Sequence, residues 1–157
     1  MTIQPCAPPR EGKIAGIDFG TVRIGIAICD PERRIAFPYE IYRRKNEKLD
    51  FEYFKELVKN ERLVHFVVGL PLHCNGDVSD KAREAVAFAQ KLVEVTGLTV
   101  DFLDERFTSA EANRYLIEAN VKAKHRKEYL DKIAAQIILA TYLERGCVGT
   151  SEFLALD

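Results

Sequence analysis

The chain has 157 residues, 47% of them apolar and 30% charged, with 23 Lys and Arg set against 24 Asp and Glu. That length accommodates one sizeable core and leaves little for a second, and no run of about 18 apolar residues is present to span a bilayer. A net charge of −1 lacks the basic excess that marks a bulk nucleic-acid binder.

The opening "MTIQPCAPPREGK" carries three prolines and no apolar stretch of signal-peptide type, so residues 1–12 are expected to be a loose tail and the cytoplasm is the expected location. Residues 13–19 and 23–29 read as two apolar strands joined by "GTVR", and residues 34–42 as a third after the turn "DPER". Strands so closely spaced form an antiparallel meander. Residues 47–60 place Leu49, Tyr53, Phe54 and Leu57 at helical spacing, and "LVHFVVGL" (63–70) is a continuous run suited to a strand buried on both faces. His65, inside that run, reads as a core histidine with its polar atoms satisfied. A helix follows from an N-cap at Ser79 to Gly97, then a strand at 98–103, then helices at 108–119 and 126–145.

A meander followed by alternating helix and strand makes an α/β fold: a mixed five-stranded sheet with helices on both faces, the order of the ribonuclease H-like fold. The expected domain is 13–146, with 147–157 as a C-terminal tail. The cysteines, Cys6, Cys29, Cys74 and Cys147, have neither C-x-x-C spacing nor a histidine at zinc-finger distance, so structural zinc is not expected. Cys29, within a strand, reads as a small buried apolar residue.

Three carboxylate positions invite chemistry. Asp18 ends the first strand on the face it shares with Ile14 and Gly16, where the small glycine leaves room for a ligand; the alternative is an Asp that opens the "DFGT" turn and bonds its own backbone. "DERFTSAE" delivers Asp104 and Glu105 to the C-terminal end of a strand, the edge where open α/β sheets place their sites. Adjacent residues point opposite ways, so one of the two enters a site; the alternative is a solvated loop with an acid paired to Arg106. Asp131 shares a helical stripe with Ala135, Ile138 and Tyr142, or else caps a helix that begins there. Oxygen donors from three separate elements suit hard divalent ions such as Mg2+, and a pair of them about 3.5 to 4 Å apart supports in-line displacement at a phosphodiester.

The segments "GIDFGTVRIGIAICD", "VVGLPLHCNG", "DERFTSAEA" and "DKIAAQIILATYLE", in this order across residues 13–146, resemble the YqgF/RuvX family. The resemblance implies a ribonuclease H-like fold and a metal-dependent nuclease acting on structured nucleic acid, either maturing the small-subunit ribosomal RNA precursor or resolving Holliday junctions. It points to Asp18, Glu105 and Asp131 as catalytic acids and as ligands of Mg2+ or Mn2+, with Asp104 as a substitute for Glu105. Thr21, Arg23, Arg106, His73, Asn75 and Lys132 are the expected substrate contacts; Arg23 and Arg106 could instead pair with Asp30 and Asp104. His73, Cys74 and Asn75 stand where the family commonly has Asn, Met and Asp, and Phe107 and Ser109 where Leu and Thr are common.

Residues 63–121 hold nine acids against five bases, whereas 122–132 hold five bases against two acids. Lys122, Lys124, Arg126 and Lys127 thus form a basic segment before Asp131, able to track a phosphate backbone. Near-neutral charge tilts the expected partner toward RNA over junction DNA; a homodimer would favour junction cutting and a monomer RNA processing. "DFGT" also resembles the phosphate loop of the actin and sugar-kinase superfamily, but those proteins close two such domains over ATP and this chain has length for one. A binding module without catalysis is the remaining alternative.

Overall fold

The computed structural model describes residues 5–71, 79–105, 118 and 122–149; in the last helix the side chains described are those of His125 and of Ile133 onward. The elements in chain order are β1 (Lys13–Phe19), β2 (Arg23–Cys29), β3 (Ala36–Arg43), α1 (Glu47–Glu61), β4 (Leu63–Leu70), α2 (Asp80–Thr96), β5 (Thr99–Asp104) and α3 (Ala123–Glu144). They form one sheet in the order β3-β2-β1-β4-β5. The meander pairs are antiparallel, and β4 joins β1 and β5 in parallel, as the hydrophobic pattern predicts.

Side-chain alternation along the strands builds two cores. Ala15, Ile17, Ile24, Ile26, Phe66, Val68 and Phe102 face Phe54 and Leu57 of α1 and Ala85, Phe88 and Leu92 of α2. On the opposite face Ile14, Ala27, Val67 and Leu103 meet Ala135, Ile138, Leu139 and Tyr142 of α3. Apart from His65, β4 is apolar because it lies inside both cores. Asn46 caps α1 by accepting the Leu49 N–H at 2.9 Å, and Ser79 caps α2 by accepting the Ala82 N–H at 3.0 Å. α2 ends on Gly97 in the left-handed region at φ 73°.

Several boundaries differ from the sequence reading. β3 starts at Ala36 rather than residue 34, because Asp30 Oδ1 takes the N–H groups of Arg34 and Ile35 at 2.8 and 2.7 Å and keeps both out of the ladder. α3 starts at Ala123, so position 131 lies eight residues inside it and cannot be its N-cap. The helix expected at 108–119 lies outside the described residues, apart from Glu118. The proline-rich lead-in, expected to be loose, is tied to the body over its described part. Cys6 N–H bonds Val100 O at 3.1 Å, and Arg33 donates to Pro9 O and Gly12 O at 2.5 and 2.9 Å.

Cys29 is buried and accepts the Ile14 N–H at 3.2 Å, and burial pushes its thiol above the usual range, in keeping with a structural role. Among the described residues no helix is long and apolar enough to cross a membrane.

Candidate active site

β1, β4 and β5 run the same way and end on one edge of the sheet, with Ile17 level with Val68 and Gly69 level with Leu103. Asp18 continues the face of Ile14 and Gly16, and Glu105 continues that of Asp101 and Leu103, so both carboxylates belong to the face covered by α3. Asp104 is buried at the same edge and alternates to the other face. Of the two adjacent acids, Glu105 is therefore the one set beside Asp18.

Glu105 and Asp18 share a side-chain hydrogen bond, and the Glu105 carboxyl is pushed up to about 8. Burial is the main cause, followed by the Asp18 charge, the hydrogen bond to Asp18 and the Asp104 charge, with Lys81 pulling the other way. Two carboxylates in contact resist ionising together, which favours a proton shared between them.

Gly69 makes room for this pair. A Cβ there would lie 2.4 Å from Glu105 Oε1 and 2.6 Å from Ile138 Cδ1, so only glycine lets the glutamate lie across β4. A glycine inside a buried strand was the available signal, and the sequence reading passed over it. Gly16 has a different use from the one expected. A Cβ on it would lie 2.7 Å from Leu139 Cβ and 2.9 Å from Ala135 O, so its small size admits α3 and not a ligand.

A groove of about 330 Å³ opens beside Asp18, lined by the β1–β2 turn with Thr21 and Arg23, by Ile41, and by Lys81 and Glu84 of α2. Thr21 and Arg23 are thus brought to the acidic edge. The expected alternative for Arg23, pairing with Asp30, does not occur, since Asp30 stands past the other end of β2 and serves the turn before β3. Lys81 and Glu84 were missed by the sequence reading. Their signal is position: α2 starts at the edge where β4 ends, and the first turns of such a helix border the site.

α3 runs antiparallel to β4, since Tyr142 meets His65 near the start of that strand and Ile138 meets Gly69 near its end. Its backbone one turn before Ala135, at position 131, therefore heads toward the acidic edge. The side chains of Asp131, Lys132, Lys124, Arg126 and Lys127, and all of His73, Asn75 and Arg106, lie outside the described residues. Among the described residues no three His, Cys, Asp or Glu side chains form a metal-holding set.

His65 is fully buried at the opposite end of the same face, with Nδ1 2.6 Å from Thr99 Oγ1 and Nε2 3.1 Å from Tyr142 OH. Burial, aided by the charge of Arg33, lowers its pKa to about 4. It is a satisfied core histidine.

Comparison with known proteins agrees with this geometry. The family described as "RuvX: Holliday junction resolvase" matches residues 12–145. A protein of Rhodopirellula baltica is 44% identical over 136 residues, covering 87% of this chain and 79% of its own length, and carries the name "Putative pre-16S rRNA nuclease". A protein of the same name from Syntrophomonas wolfei is 44% identical over 137 residues, covering 87% of this chain and 97% of the relative. Among solved structures, RuvC of T. thermophilus in complex with a Holliday junction substrate superposes with a TM-score of 0.53 at 15% identity, over 87% of this chain and 97% of that one. The likeness to RuvC is one of fold, and that fold is ribonuclease H-like.

Proposed function

This chain belongs to the RuvX family, and on that footing we propose that it is a metal-dependent nuclease that hydrolyses phosphodiester bonds during maturation of the small-subunit ribosomal RNA precursor, in the cytoplasm. The observation that carries the reading is the half-buried Asp18–Glu105 pair, two carboxyl groups joined by a side-chain hydrogen bond at the C-terminal sheet edge, an arrangement that a cation would stabilise.

The donor set fits a hard divalent ion. Asp18 and Glu105 offer carboxylate oxygen alone, and Asp131, on the helix aimed at the same edge, is proposed as the third acid. Mg2+ or Mn2+ held there would supply the positive charge that polarises a phosphate and acidifies a water molecule. The chain's own contribution is placement. Gly69 leaves the space that Glu105 and Ile138 share over β4 and so sets the height of Glu105. Thr21 and Arg23 border the groove leading to Asp18, where a hydroxyl and a guanidinium can hold phosphate oxygens of the substrate. Arg106, His73, Asn75 and Lys132 are proposed as further substrate contacts on the family resemblance.

The test is cleavage of a small-subunit precursor RNA and of a four-way DNA junction with Mg2+ or Mn2+, by the wild type and by Asp18→Asn. Metal-dependent cleavage of the RNA, lost in Asp18→Asn, is the expected result; equal cleavage by the variant would sink the assignment. The family description favours a second reading, junction resolution. Paired symmetric cuts in the junction, by a protein that sediments as a dimer, would establish it instead.

A further inference from the structure

The groove beside Asp18 has two walls of different origin. One is the β1–β2 turn, Gly20, Thr21 and Val22, running into Arg23; the other is α2, with Lys81 and Glu84, while Phe19 and Ile41 close it from within. Arg23 and Lys81 are both exposed, come from elements far apart in sequence, and flank one space that ends on a proposed metal ligand. Val22 at the rim is 57% exposed, so the groove combines cations with uncovered apolar surface. A nucleotide has the matching parts: phosphate oxygens for the cations, and a sugar or base face for the apolar surface.

Lys81 stands where helix stability does not call for it. It lies in the first turn of α2, just after the Ser79 cap, and a cation there opposes the helix dipole. Its charge is felt at Glu105, which sets it close to the acid pair as well as on the groove wall.

We propose that this groove seats one nucleotide of a single-stranded segment beside the scissile phosphate, and that Lys81 is the positioning residue that grips the backbone phosphate of that nucleotide. The proposal rests on the nuclease reading and adds to it a strand path and a substrate class. A space of about 330 Å³ takes one nucleotide unit and not the width of a duplex, whose bases would have to unpair to enter. Single-stranded segments already present their bases unstacked, without that cost.

The experiment measures binding apart from cleavage. Asp18→Asn protein, folded and uncleaving, is titrated with a labelled single-stranded RNA and with the matching RNA duplex across a salt series. Adding Lys81→Met should weaken single-strand binding by about tenfold and flatten the dependence of log K on log salt by about 0.7. Lys81→Arg should restore both, and duplex binding should change less than about twofold. Lys59→Met, an exposed lysine in the last turn of α1, is the control and should change neither. Unchanged affinity and slope in Lys81→Met, equal weakening toward duplex, or no single-strand binding by the Asp18→Asn parent would each overturn the proposal. Failure of the nuclease reading is seen separately, as absence of wild-type cleavage while the Lys81 effect on binding persists.

Discussion

The face of the sheet beneath α3 buries polar groups at both of its ends, and the two clusters are in opposite states. At the start of β4 and β5, Tyr142 OH donates to Asp101 Oδ2 at 2.9 Å and accepts from His65 Nε2, while Thr99 Oγ1 donates to Nδ1 and the Phe102 N–H donates to Asp101 Oδ1 at 2.9 Å. The directions follow from the phenol's donation to Asp101 Oδ2, which leaves its oxygen to accept and puts the imidazole proton on Nε2. Among the described residues no buried side-chain nitrogen or oxygen lacks a partner. At the far ends of the strands Asp18 and Glu105 are set against each other, and their mutual charge, with burial, pushes the Glu105 carboxyl up to about 8. One acid with a donor chain closes a core; two acids set against each other make an edge that positive charge would stabilise.

The largest expected effect separates the two ends by function. Asp18→Asn should lower metal-dependent cleavage on the order of 100-fold or more while leaving the melting temperature equal or raised, since it removes a like-charge contact. Gly69→Ala comes next. Its Cβ would drive into the Glu105 carboxyl and Ile138, costing about 1–3 kcal/mol in urea unfolding, and cleavage should fall further than the loss of folded protein explains.

Tyr142→Phe tests the other end. It leaves Asp101 Oδ2 without its phenol donor and His65 Nε2 without its acceptor, which should cost about 1–2 kcal/mol in urea unfolding, with cleavage at low temperature unchanged. A drop in cleavage comparable to that of Asp18→Asn would erase the distinction between the ends.

The pH dependence of stability separates the two clusters by sign. Glu105 binds its proton more tightly folded than unfolded, so in metal-free protein its contribution falls as pH rises from about 4.5 to about 8. His65 does the reverse: its pKa of about 4 against 6.5 unfolded makes stability fall as pH drops from about 6.5 to about 4. Denaturant titrations across these windows should show Glu105→Gln, or added Mn2+, flattening the upper slope alone, and His65→Gln flattening the lower slope alone.

Much of this was legible along the chain. Strand and helix order follows from apolar periodicity, which is written within a few residues of each element, and it placed all five strands and the helix cap at Ser79. Asp18 and the Asp104–Glu105 step could be singled out as acids at strand exits, and His65 and Cys29 as core, because their immediate neighbours already specify burial. The start of β3 was misplaced because a side-chain bond from Asp30, and not apolar pattern, decides where the ladder begins.

What the sequence determined, then, was the set of elements and the acids at their ends. Only the tertiary structure decided that Glu105 and not Asp104 meets Asp18, that Gly16 and Gly69 are spaces for Leu139 and Glu105, and that Lys81 borders the same groove as Arg23. The physical reason is range. Periodicity and capping act through neighbours a turn or a pleat away, whereas the partners at this site are separated by 36 to 123 residues and meet only when α2 and α3 pack on opposite faces of one sheet.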